Sequence, residues 1–355
     1  MSEAAPEITV VLCPATAEHP RQTEGSILAL DDGRLLLAWT DFCGGDPRDR
    51  GPARIMGRWS EDEGASWSEP FVLQENIGRL NVMGASLLQL PSGRVLLAFM
   101  RKDGESDTEG EKPILHAMVK HSDDGGRSWS EPTQITVGDC YWCSCNDRLV
   151  RLSSGRLLLP AEERGIGCHA WLSDDEGASW RLSTGAILPP EGGRYAEPVV
   201  VELADGTVAM YLRADGGYIH IAHSEDGGER WGLHSQWGPP APFAPCVVKR
   251  VPGTDDLLLI WNNHAIRSTL TAAISRNGGV SWGNLRTLEE LREWPMVDSH
   301  AYPTLAFLGE NAHITYWETH AHEQAGRLFH LVYRRLPLAW FYEEPQRRMP
   351  AHLQR

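Results

Sequence analysis

A set of residues able to do chemistry stands at matched distances from glycines that recur along the chain. Counting back nine residues from Gly33, Gly93, Gly155 and Gly206 lands on Glu24, Gly84, Asn146 and Glu197. The same register in the last unit, whose turn spans Gly309 to Asn311, lands on Tyr302. Counting forward seven or eight residues from those glycines gives Asp41, Arg101, Glu162 with Glu163, and Arg213, while His264 and Arg267 follow the fifth unit's second strand. Carboxylates, guanidinium groups and a phenol brought to one face supply anion binding and acid/base chemistry. The competing reading is a set of salt bridges lining a water-filled channel.

The elements that must position these residues are hairpins. ILALDDGRLLLAW (27–39), LLQLPSGRVLLAF (87–99), LVRLSSGRLLLPA (149–161) and VVVELADGTVAMYL (199–212) each read strand, tight turn, strand. Turn chemistry and β-branched or aromatic content support that reading. VVKRVPGTDDLLLIW (247–261) and TLAFLGENAHITYW (304–317) are degenerate copies. In an antiparallel unit, the start of the first strand and the end of the second lie at one face. The counted residues therefore share that face.

A third strand runs into a turn of the form Ser-x-Asp-x-Gly-x-x-Trp, and a fourth leaves it. The turn occurs as SEDEGASW (60–67), SDDGGRSW (122–129), SDDEGASW (173–180), SEDGGERW (224–231) and, with Asn277 in place of Asp, SRNGGVSW (275–282), its serines 62, 51, 51 and 51 residues apart. A fixed period near fifty is the mark of a repeat architecture. Each four-stranded sheet has two faces to bury, and radial packing of six buries both. The expected fold is all-β: one domain over 1–355, a six-bladed β-propeller of four-stranded antiparallel blades. GRLFHLVYRRLPLAWF (326–341) is expected to supply outer strands of the last blade, ITVVLC (8–13) to pair with it, and residues 343–355 to form a peripheral tail. The boxed turns lie at the opposite face from the counted residues, so their role is structural.

Composition narrows the partners. A net charge of −15 with no basic stretch argues against a nucleic-acid backbone, and no apolar stretch is long enough for a spanning helix. Residues 1–20 lack a basic segment followed by a long apolar one, and seven irregularly spaced cysteines suit free thiols. These features lead to the expectation of a cytoplasmic protein without membrane contact. Cys140, Cys143 and Cys145 are too irregularly spaced for tetrahedral zinc, so neither metal nor cofactor is expected.

These motifs resemble the sialidase (neuraminidase) superfamily over about residues 20 to 340. The boxed turns look like its Asp-boxes. YAEPVVVELADGTVAMYLR (195–213) is similar to the segment carrying the nucleophile's Glu partner and a triad arginine, which places Glu197 and Arg213 in those roles. HAIRSTLTAAISRNGGVSW (264–282) and HAYPTL (300–305) are similar to the segments with the next triad arginine and the nucleophilic tyrosine, here Arg267 and Tyr302. DPRDRGPARI (46–55) resembles the acid/base loop, with Asp49 the better match and Asp46 the weaker. The resemblance implies a carbohydrate substrate, a terminal acidic sugar cleaved by a glycoside hydrolase. The chain departs from the family in its first inner strand, RQTEGSILAL (21–30), where Thr23 holds the place of the remaining triad arginine and Arg21 lies near by. Glu24 on the ring would repel an anion.

Other residues near the ring extend the binding set: Glu24, Asp41, Arg101, Asn146, Asp147, Arg148 and His264. A histidine (His264 or His300) or a tyrosine as base, with the arginines, would also suit a uronate-directed lyase, and a non-catalytic glycan-binding propeller is a third reading. Trp142, Trp261 and Trp317 are expected in the blade cores.

Overall fold

A computed structural model describes residues 6–105, 112–232, 236–292, 297–323 and 326–343. Among the described residues the regular structure is β-strand apart from one short helix, Leu338–Tyr342. Most strands fall into four-stranded antiparallel sheets in chain order, such as Tyr195–Glu202, Val208–Ala214, Tyr218–Ser224 and Gln236–Pro240. The largest sheet has eight strands and consists of two such units joined by one parallel pair, Arg21 with Phe329. One of these units contains Val297–Leu308, Asn311–His322 and Gly326–Pro337. It is completed by the N-terminal strand Ile8–Cys13, antiparallel to Gly326–Pro337. That is the expected pairing of the chain's start with its last unit. Most of the expected C-terminal tail, residues 344–355, lies outside the described residues.

The core sits between neighbouring sheets. Val247, Ile260 and Ile274 pack on Leu305, Ile314 and Val332, while Leu158 and Leu172 pack on Val200 and Met210. Each sheet thus buries both faces, and each fully buried Leu or Ile contributes about 1.5–3 kcal/mol. Among the described residues, no helix is long and apolar enough to cross a membrane.

The boxed turns clip these units together. In the first, Ser60 Oγ accepts from the Gly64 N–H at 2.7 Å, and Asp62 accepts from Ser66 at 2.8 Å (backbone) and 2.6 Å (hydroxyl). The bonds between Asp175 and Ser179 repeat this at 2.9 and 2.5 Å. The closing glycine of each box lies against a neighbouring unit: Gly64 on Tyr333 of the last unit, and Gly126 on Trp59, Gly177 on Leu96, Gly228 on Leu158 and Gly279 on Tyr211 of the preceding one. All five have positive φ, and at Gly64, Gly126, Gly228 and Gly279 a Cβ would collide with that neighbour. The box is a joint between sheets.

Candidate active site

The inner strands carry a bulge where they approach one another. Register slips between Thr23 and Ser26, Met83 and Ser86, Ala196 and Val199, and Ala301 and Thr304. Inside each slip one residue is left-handed: Glu24 (φ 54°), Gly84 (69°), Glu197 (40°) and Tyr302 (57°). A bulge re-aims a side chain out of the pleat, and positive φ on a bulky residue is uncommon enough to mark a constrained position. In the third unit the inner strand breaks, with Trp142–Cys143 and Val150–Arg151 separated by a segment in which Cys145 and Asp147 are left-handed.

A cavity of about 430 Å³ opens over these bulges. Arg21, Glu197, Arg213, Arg267 and Tyr302 line it, together with Asp49, Glu162, Arg164 and Arg194. Tyr302 Oη donates to Glu197 Oε1 at 2.7 Å, and the Arg213 guanidinium is hydrogen-bonded to Glu197 Oε2. Arg267 donates to the Phe243 carbonyl at 3.1 Å and lies 5.5 Å from the Tyr302 ring centroid. Arg21 is paired with Glu24 and donates to Asp49 Oδ1 at 2.6 Å. Its guanidinium lies 4.3 Å from the Phe42 ring centroid and 5.7 Å from that of Phe329. These three arginines come from three units and reach one cavity, each held by a carboxylate, a carbonyl or an aromatic face. The loop carrying Asp49 is tied down by Asn81 Nδ2, which donates to the carbonyls of Asp49 and Gly51 at 2.8 Å each.

Charge in the cavity runs against the chain as a whole. Six arginines line it against three carboxylates, in a protein of net charge −15. Burial pushes the Tyr302 phenol well above its ordinary range, and the Glu197 charge adds to this, so Tyr302 is a neutral donor. Burial also pushes Glu197 up, but Arg213, the Tyr302 hydroxyl and Arg267 outweigh it and hold Glu197 below the usual carboxylate range. Arg21 holds Asp49 low, although its side chain is 58% exposed. Burial raises Glu24 despite Arg21, and it raises Glu162 despite Arg194, whose Nη2 donates to it at 2.8 Å. The arrangement joins an anion-binding arginine cluster to a phenol whose proton already points at a carboxylate.

Comparison with known proteins decides the family. Residues 87–314, more than half of the chain, match the family described as BNR repeat-like domain. The chain belongs to the sialidase/BNR-repeat superfamily. Over 209 residues it is 29% identical to a sialidase of Micromonospora viridifaciens, covering 51% of this chain and 31% of that one. The match therefore spans under a third of that relative's length. The NanB sialidase of Streptococcus pneumoniae superposes with a TM-score of 0.74 at 14% identity, covering 93% of this chain and 70% of that one. The intramolecular trans-sialidase from Ruminococcus gnavus gives 0.74 at 16% identity, covering 93% and 97%. Those two likenesses establish a shared fold.

Within this BNR-repeat chain the structure gathers some of the residues singled out from sequence and leaves others elsewhere. Tyr302, Glu197, Arg213, Arg267 and Asp49 share the cavity. Glu24 stands behind Arg21, so its charge faces a guanidinium and is not set against an incoming anion. Asp41 is buried among Gln22, Arg54 and His19, and Arg101 turns to Asp103 and Gln134; neither lines the cavity. Asn146, Asp147 and Arg148 lie in the break of the third inner strand and are spent on packing against other inner strands. Asn146 donates to the Gly25 carbonyl at 2.8 Å, and Asp147 takes Lys249 at 2.9 Å. His264 is exposed and lines no part of the cavity, and Asp46 pairs with Arg48.

Motif matching put Thr23 in the place of a third arginine; in the structure Arg21, two residues earlier, brings a guanidinium to the cavity, and Thr23 Oγ1 accepts from Arg21 Nε at 3.0 Å. Two residues along a strand share a face, so the pleat already allowed the exchange. Trp142 and Trp261 are core residues as expected, but Trp317, though buried, lines the cavity and stacks on Tyr302 at 6.1 Å between centroids. Tyr141, Arg164, Arg194 and Phe329 also line it and were not singled out from sequence. Arg164 lies 3.4 Å from the centroid of the Tyr141 ring. The loops bearing Tyr141, Arg164 and Arg194 carry no repeat signal, and Phe329 lies on the strand Gly326–Pro337. Among the described residues, no cluster of three or more metal-ligating side chains is found.

Proposed function

We propose that this chain is an exo-acting glycoside hydrolase of the sialidase type, removing a terminal sugar whose anomeric carbon bears a carboxylate. The observation that carries this reading is the Tyr302 hydroxyl donating to Glu197 at 2.7 Å in a cavity shared with Arg21, Arg213 and Arg267. The three guanidinium groups clamp the substrate carboxylate. An anionic nucleophile would be repelled by that carboxylate, and a neutral phenol is not. Tyr302 Oη attacks the anomeric carbon while its proton passes to Glu197 Oε1. Asp49 gives a proton to the departing glycosidic oxygen. In the second half, Asp49 as carboxylate takes a proton from water, whose oxygen displaces Tyr302, and Glu197 returns the phenol's proton. Two displacements retain the anomeric configuration, and sialidases are the tyrosine exception to the usual carboxylate pair.

In this reading the four-stranded units close as a six-bladed propeller, with the N-terminal strand completing the last blade. The pairing of Ile8–Cys13 with Gly326–Pro337 supports that closure. The lyase reading is less well supported, since the Tyr302 hydroxyl already donates to Glu197 and no histidine lines the cavity among the described residues. The test is release of fluorophore from a 4-methylumbelliferyl sialoside by the purified chain and its loss in Tyr302→Phe. No release by a folded wild-type chain, or full release by the variant, overturns the assignment.

A further inference from the structure

Arg148 has no part in the cavity, yet its burial needs an explanation. The segment Cys145 to Leu149 is the hub on which the inner strands converge. The Asn146 amide donates to Gly25 O and the Asp147 N–H to Ala85 O, while the N–H groups of Arg148 and Leu149 both donate to Ser86 Oγ. From the far side, Leu305 N donates to Asp147 Oδ2 at 3.1 Å and Lys249 Nζ to Asp147 Oδ1 at 2.9 Å.

At this hub Arg148 is 1% exposed, and its Nε and Nη1 have no hydrogen-bond partner. The adjacent carboxylate, Asp147, is already committed to Lys249 and a backbone N–H. Among the described residues, no acidic group lies within ion-pair distance of Arg148. A guanidinium does not give up its proton, so the charge cannot be relieved by titration. A buried charge is costly unless it is paired. Two buried thiols, Cys145 and Cys246, lie close enough to feel the charge of Arg148, and burial pushes both up, so neither offers it an anion.

We infer that Arg148 holds a small monovalent anion of the halide class at the hub, and that this ion helps to join the inner strands. A phosphate or sulfate would bring four oxygens in need of donors, against two unpartnered nitrogens in a closed site. A single-atom anion matches the donors on offer.

The experiment compares thermal unfolding of the whole chain in sodium bromide, sodium chloride and sodium gluconate at equal ionic strength, with bromide-soaked crystals examined for anomalous scattering. Expected are a Tm about 2–4 °C higher in either halide than in gluconate, an anomalous peak beside Arg148, and no halide dependence in Arg148→Met. Equal Tm in all three salts, or ordered water alone on Nε and Nη1, overturns the inference. The two wild-type measurements decide the matter even if the variant does not fold.

Discussion

Tyr302 and Glu197 occupy the same place in two different strands. Each is the left-handed residue of an inner-strand bulge, and the two side chains meet in a 2.7 Å hydrogen bond. Positive φ on such residues costs on the order of 1–3 kcal/mol each, and both are held in it by ladders that resume on either side of the bulge. The repeat that builds the fold therefore also builds the site.

Replacing Glu197 with Gln keeps the shape of that contact and removes the base. Tyr302 sits well above its ordinary range, so it depends on a neighbour to take its proton. We expect kcat on an aryl sialoside to fall by about 10³-fold in Glu197→Gln, within the range of general-base contributions, with KM little changed. A loss below tenfold would show that Glu197 does not serve as the base.

Arg21 joins Arg213 and Arg267 at the cavity, and a hydrogen bond to a charged group contributes about 1.5–3 kcal/mol. Arg21→Met should lower kcat/KM by roughly 10- to 100-fold, and Arg21→Lys should recover part of it, since a lysine keeps the charge and loses the planar fork. The control is a competitive inhibitor series with and without the carboxylate. If both lose affinity equally in the variant, Arg21 is not reading that group.

How much of this was legible beforehand follows from what repeats. The hairpin glycines and boxes fix strand order, and counting from them reached Glu24, Glu197 and Tyr302 because the bulge falls at one register in each unit. The same count mis-assigned Asp41 and Arg101, which point into their own blades and not over the bulge. Arg21 was hidden by a motif that fixes one position, although the pleat offers the same face two residues away. Arg164, Arg194 and Tyr141 come from loops whose course the repeat does not dictate.

Asp49 is held as a carboxylate by Arg21 in the free cavity, yet it must carry a proton to act as an acid. A bound substrate carboxylate beside Arg21 shares that guanidinium and adds a negative charge, raising the proton affinity of Asp49. Because kcat/KM reports the free enzyme and kcat the complex, the descending alkaline limb should lie at higher pH for kcat. Coincident limbs, or an unchanged limb in Asp49→Asn measured with a leaving group that needs no protonation, would remove Asp49 from this role.

The boxed glycines make a separate prediction about stability. Gly228 is left-handed, and a Cβ there would strike the Leu158 side chain of the preceding unit, whereas the left-handed hairpin glycine Gly206 faces open space. Gly228→Ala should destabilise by about 2–4 kcal/mol, combining strain and overpacking, and Gly206→Ala by about 1 kcal/mol from backbone strain alone. Denaturant midpoints measure both, and equal effects would mean that the box is a local turn and not a joint.

His313 sets an acid limit on the fold. It is fully buried, with Nδ1 2.8 Å from Tyr333 Oη, and burial together with the Arg335 charge pushes it down to about 4. An unfolded histidine titrates near 6.5, so between these values the unfolded chain binds a proton that the folded one does not. The stability contributed by neutral His313 is thus complete above pH about 6.5 and is lost as pH falls towards 4, by about 3 kcal/mol in all. His313→Gln keeps an acceptor for Tyr333 without the titration. Urea unfolding between pH 7 and pH 4.5 should show a shallower loss in the variant, with a slope lower by up to about 1.4 kcal/mol per pH unit. Parallel curves would mean that His313 is protonated in the fold and that the acid sensitivity lies elsewhere.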